Sequence, residues 1–197
     1  QNLKELRDEL LTIEAASVYH HFWGALLQPA FDDPLYNNDF ARWVHQTLHN
    51  QALAERLGVI DPTDFADLEE LRRELVDVIE QELDSSEFLT WTSSDAAFHF
   101  LRSQIVVFDA GHTVVAPSDL SDTIASMSSG SVFYHFVDAR RRTPDGIDDV
   151  RTWLQDIDRD RYAAVCALCA NVDPFFKSLH ELRDELAIVF RTLDEGA

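Results

Sequence analysis

The chain has 197 residues, a formal net charge of −20 (16 Lys plus Arg against 36 Asp plus Glu), and 46% hydrophobic residues including 13 Phe. An acidic surface of that strength repels phosphate backbones and anionic lipid, which argues against nucleic acid or a membrane as partner. No apolar run approaches the roughly 20 residues of a membrane span and no signal-peptide pattern opens the sequence, so a cytoplasmic protein is expected.

Leu3, Leu6, Leu10 and Ile13 keep helical spacing and predict a first helix. Ser17 reads as the N-cap of a second, running toward Gln28 and closed by Pro29. Pro29–Asn38 is a loop rich in Pro, Asp and Asn. A third helix begins at Asp39 and carries Phe40, Trp43, Val44 and Leu48. A fourth covers about residues 51–57 and stops near Gly58, and Asp61-Pro62 marks a turn. Asp67 and Glu70 form a capping-box pattern ahead of a long helix to Leu83.

The period then changes. Phe98 to Phe108 alternates and is rich in β-formers, Asp109-Ala-Gly111 is a turn signal, and Thr113-Val-Val115 follows. This predicts a β-hairpin over 97–115. A helix over Ser118–Met127 follows, and further helices end with one whose capping box is Ser178 and Glu181.

The second set of helices repeats the first. Ser17-Val-Tyr-His-His-Phe22 recurs as Ser131-Val-Phe-Tyr-His-Phe136, and Asp39-Phe-Ala-Arg-Trp43 as Asp149-Val-Arg-Thr-Trp153. Ile60-Asp-Pro62 recurs as Val172-Asp-Pro174, and Leu68 to Leu75 as Leu179 to Leu186. A period of about 110 residues is too long for a solenoid and fits two related units. The expected fold class is α+β, predominantly helical: a first helical repeat over 1–84, and a second over 85–197 that begins with the hairpin 97–115. Helix 118–127 precedes the second block as the first helix precedes the first block. The first repeat's own hairpin is therefore expected N-terminal to this chain. A lone hairpin is marginal in water, so pairing with another strand or another chain is expected.

His21 and His135 are the histidines found in both copies, each four residues after a serine and so on one face of a helical turn. Asp39 and Asp149 also recur, each just ahead of a Trp. A His held by an Asp in each copy makes a duplicated polar site, able to bind a ligand or orient toward a metal. The plainer reading is that each ring makes a buried structural hydrogen bond, with the two rings in equivalent environments. One His and one Asp per copy is thin for zinc, which wants four ligands, so no metal or cofactor is assigned. His45 and His49 are an i,i+4 pair without a His-Glu-x-x-His context and read as a solvated face. Cys166-Ala-Leu-Cys169 lacks both a second pair and a strand before it. Its counterparts, Ala54 and Leu57, are apolar, so two buried free thiols are expected. Arg140, Arg141 and Arg142 are expected to pair with Asp138, Asp145, Asp148 and Asp149. Arg102, inside the predicted hairpin, is a further candidate for a polar pocket. No nucleophile elbow, phosphate loop or dinucleotide fingerprint occurs.

At Tyr19-His-His-Phe22, Asn38-Asp-Phe40 with Trp43, Ile60-Asp-Pro62 and Phe133-Tyr-His-Phe136 the chain resembles a prokaryotic family known only as a domain of unknown function. The resemblance covers nearly the whole chain and implies a further hairpin before the first helix. It carries no activity. The second copy departs from the pattern in having Asp148 where the first has Asn38.

These features point to a non-catalytic interaction or scaffold protein, an accessory subunit or homo-oligomer. The alternative is a small-ligand or metal-binding protein, with an enzyme left open, that uses His21, His135, Asp39, Asp149 and Arg102.

Overall fold

The structure is a computed structural model describing residues 1–27, 35–85, 94, 96–143 and 145–193. It divides into two compact units, Gln1–Ile105 and Val106–Ala197.

In the first unit, α1 (Leu3–Leu10) starts on a complete Asn2–Glu5 capping box and buries Leu3, Leu6 and Leu10. Helix α2 (Ala15–Trp23) runs into a 3-10 turn, Gly24–Leu27. Helix α3 (Asp39–Trp43) is capped by Asn38 and passes into a π turn, Val44–Leu48. Asn50 caps α4 (Gln51–Gly58), and α5 (Leu68–Ser85) follows. Helix α5 packs on α1, α2 and α4, and α3 packs on α4.

The second unit repeats this order. Helix α6 (Leu120–Ser126) follows a 3-10 turn. Helix α7 (Ser129–Val132), a π turn (Phe133–Asp138) and α8 (Ala139–Arg142) form one continuous rod. Helices α9 (Asp149–Asp158), α10 (Ala163–Ala170) and α11 (Leu179–Arg191) complete it. Helix α11 packs on α6, α7 and α10, and α9 on α10, so the four pairings of the first unit recur in order. The matched apolar positions are the reason. Val18, Phe22, Leu71 and Leu75 are buried in one unit, and Val132, Phe136, Leu182 and Leu186 in the other. Each such side chain contributes about 1.5–3 kcal/mol by leaving water.

The predicted α+β class is corrected to all-α. Among the described residues there is no sheet, and 97–115 forms no hairpin. The alternation there has another origin. Phe98 is buried against helix side chains, while Leu101, Val106, Val107, Phe108 and Val115 are exposed. The backbone of 98–101 finds its partners in side chains: Phe98 N–H donates to Gln1 Oε1 at 2.6 Å, and Leu101 N–H to His21 Nε2 at 3.0 Å. Main-chain groups held in this way need no partner strand.

Two helix starts also differ from expectation. Ser17 lies inside α2, whose N-cap is Glu14, and its hydroxyl donates to Leu101 O at 2.7 Å. Asp67 caps α5 as expected, but Glu70 reaches back to Ala66 N–H rather than to Asp67. The loop predicted over Pro29–Asn38 lies outside the described residues up to Pro34.

Candidate functional site

His21 is buried at 2% exposure on α2, a helix that points it at the start of α3. Its Nδ1 lies 2.8 Å from Asp39 Oδ2, and Asp39 Oδ1 accepts from Arg42 Nη1 at 2.9 Å. A carboxylate only accepts, and Leu101 N–H only donates. His21 is therefore the neutral tautomer with its proton on Nδ1 and its Nε2 lone pair held by the Leu101 amide. Phe98 and Phe100 pack edge-on to the ring at 4.7 and 5.9 Å between centroids. Phe98 also stacks on Phe40 at 5.0 Å and meets Trp43 edge-on at 6.0 Å. Trp43 Nε1 donates to Ala96 O at 2.9 Å. Together these side chains clamp residues 96–101 at the main chain of Ala96 and Leu101.

The second unit holds the same pair: His135 Nδ1 lies 2.9 Å from Asp149 Oδ2. The neighbouring ring is also equivalent. Tyr134 meets His135 at 5.0 Å and 79°, where His20 meets His21 at 4.9 Å and 84°. The environments differ, however. The His135 side chain is 40% exposed against 3% for His21, so the expectation of two equally buried rings is corrected. The cause is local: residues 96–101 cover His21, and no described residue donates to His135 Nε2.

The structure thus joins His21 to Asp39 and His135 to Asp149, and leaves Arg102 outside the first unit's pair. Arg102 is 63% exposed and bridges to Glu14 at 2.5 Å. His20, His21 and Asp39 offer ligand atoms within 4.8 Å of one another. His20 Nδ1 contacts Ser103 Oγ at 2.5 Å, and burial first, then the neighbouring His21, lowers its pKa. His45 and His49 do not share a helical face. The π turn intervenes, and His49 ends the rod in the left-handed region at φ 53°.

Of the arginine cluster Arg141 and Arg142 pair with acids, whereas Arg140 Nε is buried without a hydrogen-bond partner among the described residues, which corrects the expectation for Arg140. Arg141 and Arg142 both reach Asp138 at 2.9 Å, and Arg142 also contacts Asp149 at 3.1 Å. Behind them lies a group that single residue types did not announce. Asp148, wholly buried, caps α9 through Arg151 N–H at 2.8 Å and holds Arg151 Nε at 2.5 Å. Cys169 Sγ lies 4.0 Å from Asp148 Oδ2. In the first unit Asn38 caps α3 through Ala41 N–H, and its own amide donates to Leu57 O. Asp148 has no N–H to give, and the chain answers with Arg151 in place of Ala41 and Cys169 in place of Leu57. That coupled exchange was readable by laying one copy on the other.

Both cysteines are free and buried, as expected. Burial, reinforced by Asp148, pushes the Cys169 thiol up to about 12, and the same causes raise Cys166. At neutral pH the Cys169 thiolate is therefore vanishingly rare. A thiol reagent such as Ellman's is expected to modify Cys169 only at the rate of unfolding. Complete labelling within seconds in native buffer would show that the thiol is not held as described.

The clamp and its duplicate define a class before they define a protein: a two-unit helical fold in which a His–Asp pair lies at the same place in each unit. The chain belongs to the family of unknown function DUF5752, whose model matches residues 1–191. It is also similar to a solved structure described as "The structure of OrfY from Thermoproteus tenax", with 25% identity and a TM-score of 0.82 over 100% of this chain and 88% of that one. No curated protein matches.

Proposed function

We propose that the protein is a non-catalytic interaction or scaffold protein, acting as a homo-oligomer or accessory subunit. One observation carries the reading. From Arg102 to Val115 the only main-chain hydrogen bond among the described residues runs from Gly111 N–H to the Asp109 side chain, and Phe108 and Val115 on that stretch are 83% and 82% exposed. Exposed apolar side chains clustered on such chain favour cover by a second polypeptide. The test is light scattering on the purified chain. A dimer or larger assembly is expected, and Phe108→Lys should shift it to monomer without lowering the melting temperature. A strict monomer near millimolar concentration, or an assembly indifferent to Phe108→Lys, would count against the reading.

The second reading, a ligand or metal protein, has the cluster His20, His21 and Asp39 in its favour. Against it, both His21 nitrogens and both Asp39 oxygens already have partners, and zinc wants four free ligand atoms. Metal analysis of the purified protein separates the two. Stoichiometric metal that His20→Ala abolishes would put the second reading first.

A further inference from the structure

The first unit contains a small complex already formed. Residues 96–101 form neither helix nor sheet, and three side chains grip their main chain. Trp43 Nε1 donates to Ala96 O at 2.9 Å, His21 Nε2 accepts from Leu101 N–H at 3.0 Å, and Ser17 Oγ donates to Leu101 O at 2.7 Å. Because these bonds reach backbone atoms, they would hold any extended peptide. The side-chain preference lies in Phe98, which sits among His21, Phe40 and Trp43, and in Phe100 on His21.

The second unit keeps all three gripping residues as Ser131, His135 and Trp153. Asp149 fixes His135 in the orientation that Asp39 gives His21. As in the first unit, a proton on Nδ1 leaves Nε2 as an acceptor. Among the described residues the grip holds nothing: neither His135 Nε2 nor Trp153 Nε1 has a hydrogen-bond partner there, and Ser131 Oγ contacts only Ser128 Oγ, at 3.0 Å. Val150 stands where Phe40 stacks on Phe98.

We propose that the second unit is a receptor for an extended segment of a different polypeptide that carries two aromatic side chains two residues apart. His135 and Trp153 hold its main chain. The proposal rests on the interaction reading and names the partner's chemistry. The chain's own 96–101 is not the occupant, because the first unit buries it: Phe98 is only 7% exposed.

The test uses the full chain and a fluorescein-labelled synthetic peptide spanning residues 94–103, followed by anisotropy. Saturable binding is expected, with affinity about tenfold weaker for His135→Ala and for Trp153→Phe, each removing one hydrogen bond. Replacing both phenylalanines of the peptide with serine should abolish binding. Trp153→Phe keeps the ring, so it serves where His135→Ala unfolds, and melting curves identify that case. No saturable binding to about millimolar peptide, or binding indifferent to both variants, overturns the proposal. If the chain still self-associates in light scattering, the interaction reading survives that result. If Trp153→Phe instead dissociates a homo-oligomer, the occupant is a second copy and the assignment to a different polypeptide fails.

Discussion

Asp148→Ala is expected to cost about 3–5 kcal/mol of folding stability, the usual loss when one member of a buried ion pair is removed. The carboxylate is 0% exposed and performs three tasks at once. It caps α9, it neutralises a guanidinium whose side chain is only 10% exposed, and it faces the Cys169 thiol. Deleting it leaves the Arg151 charge buried beside Arg140, which desolvation and the nearby Arg151 already hold below the usual arginine range. The first unit offers the rescue. Asp148→Asn with Arg151→Ala imports the Asn38–Ala41 arrangement and should recover all but about 1 kcal/mol, since an amide caps a helix nearly as well as a carboxylate. Urea unfolding of the two variants decides the matter. A loss under about 1 kcal/mol for Asp148→Ala, or a double variant no better than the single, would show that the pair contributes little.

Much of the helical architecture was legible because duplicated apolar periodicity is a strong signal: Leu68 to Leu75 and Leu179 to Leu186 bury the same faces in both units. The His21–Asp39 and His135–Asp149 pairings were legible for a related reason, since few polar residues recur. The segment 97–115 was misread. Alternation with β-branched residues says only that a chain is extended with two unlike faces, and does not say whether its backbone pairs with a strand or with side chains. Here the partners are His21, Ser17 and Trp43, far away in sequence, and only the fold brings them together. The unequal exposure of the two histidines was hidden for the same reason: it depends on a segment that covers one of them. The Asp148 cluster was half legible. Its departure from Asn38 was visible, but its compensation required comparing position 151 with 41 and position 169 with 57.

The two histidines give the second large effect, through their inequality. His21→Ala removes the acceptor for the Leu101 amide and the partner of Asp39, and opens a cavity among Phe40, Phe98 and Phe100. Stranding buried polar groups costs about 1–3 kcal/mol, and the lost packing adds to it, so a total of about 3–4 kcal/mol is expected. His135→Ala removes a ring that is 40% exposed and whose Nε2 holds nothing among the described residues, so about 1 kcal/mol or less is expected. A second readout separates the clamp from general destabilisation. In His21→Ala the Leu101 amide, no longer held, should exchange its proton faster than amides buried within α5, whereas in His135→Ala its exchange should be unchanged. Hydrogen exchange together with urea unfolding measures both. Equal losses for the two variants, or a Leu101 amide that stays protected without His21, would mean that residues 96–101 are held by something other than this ring.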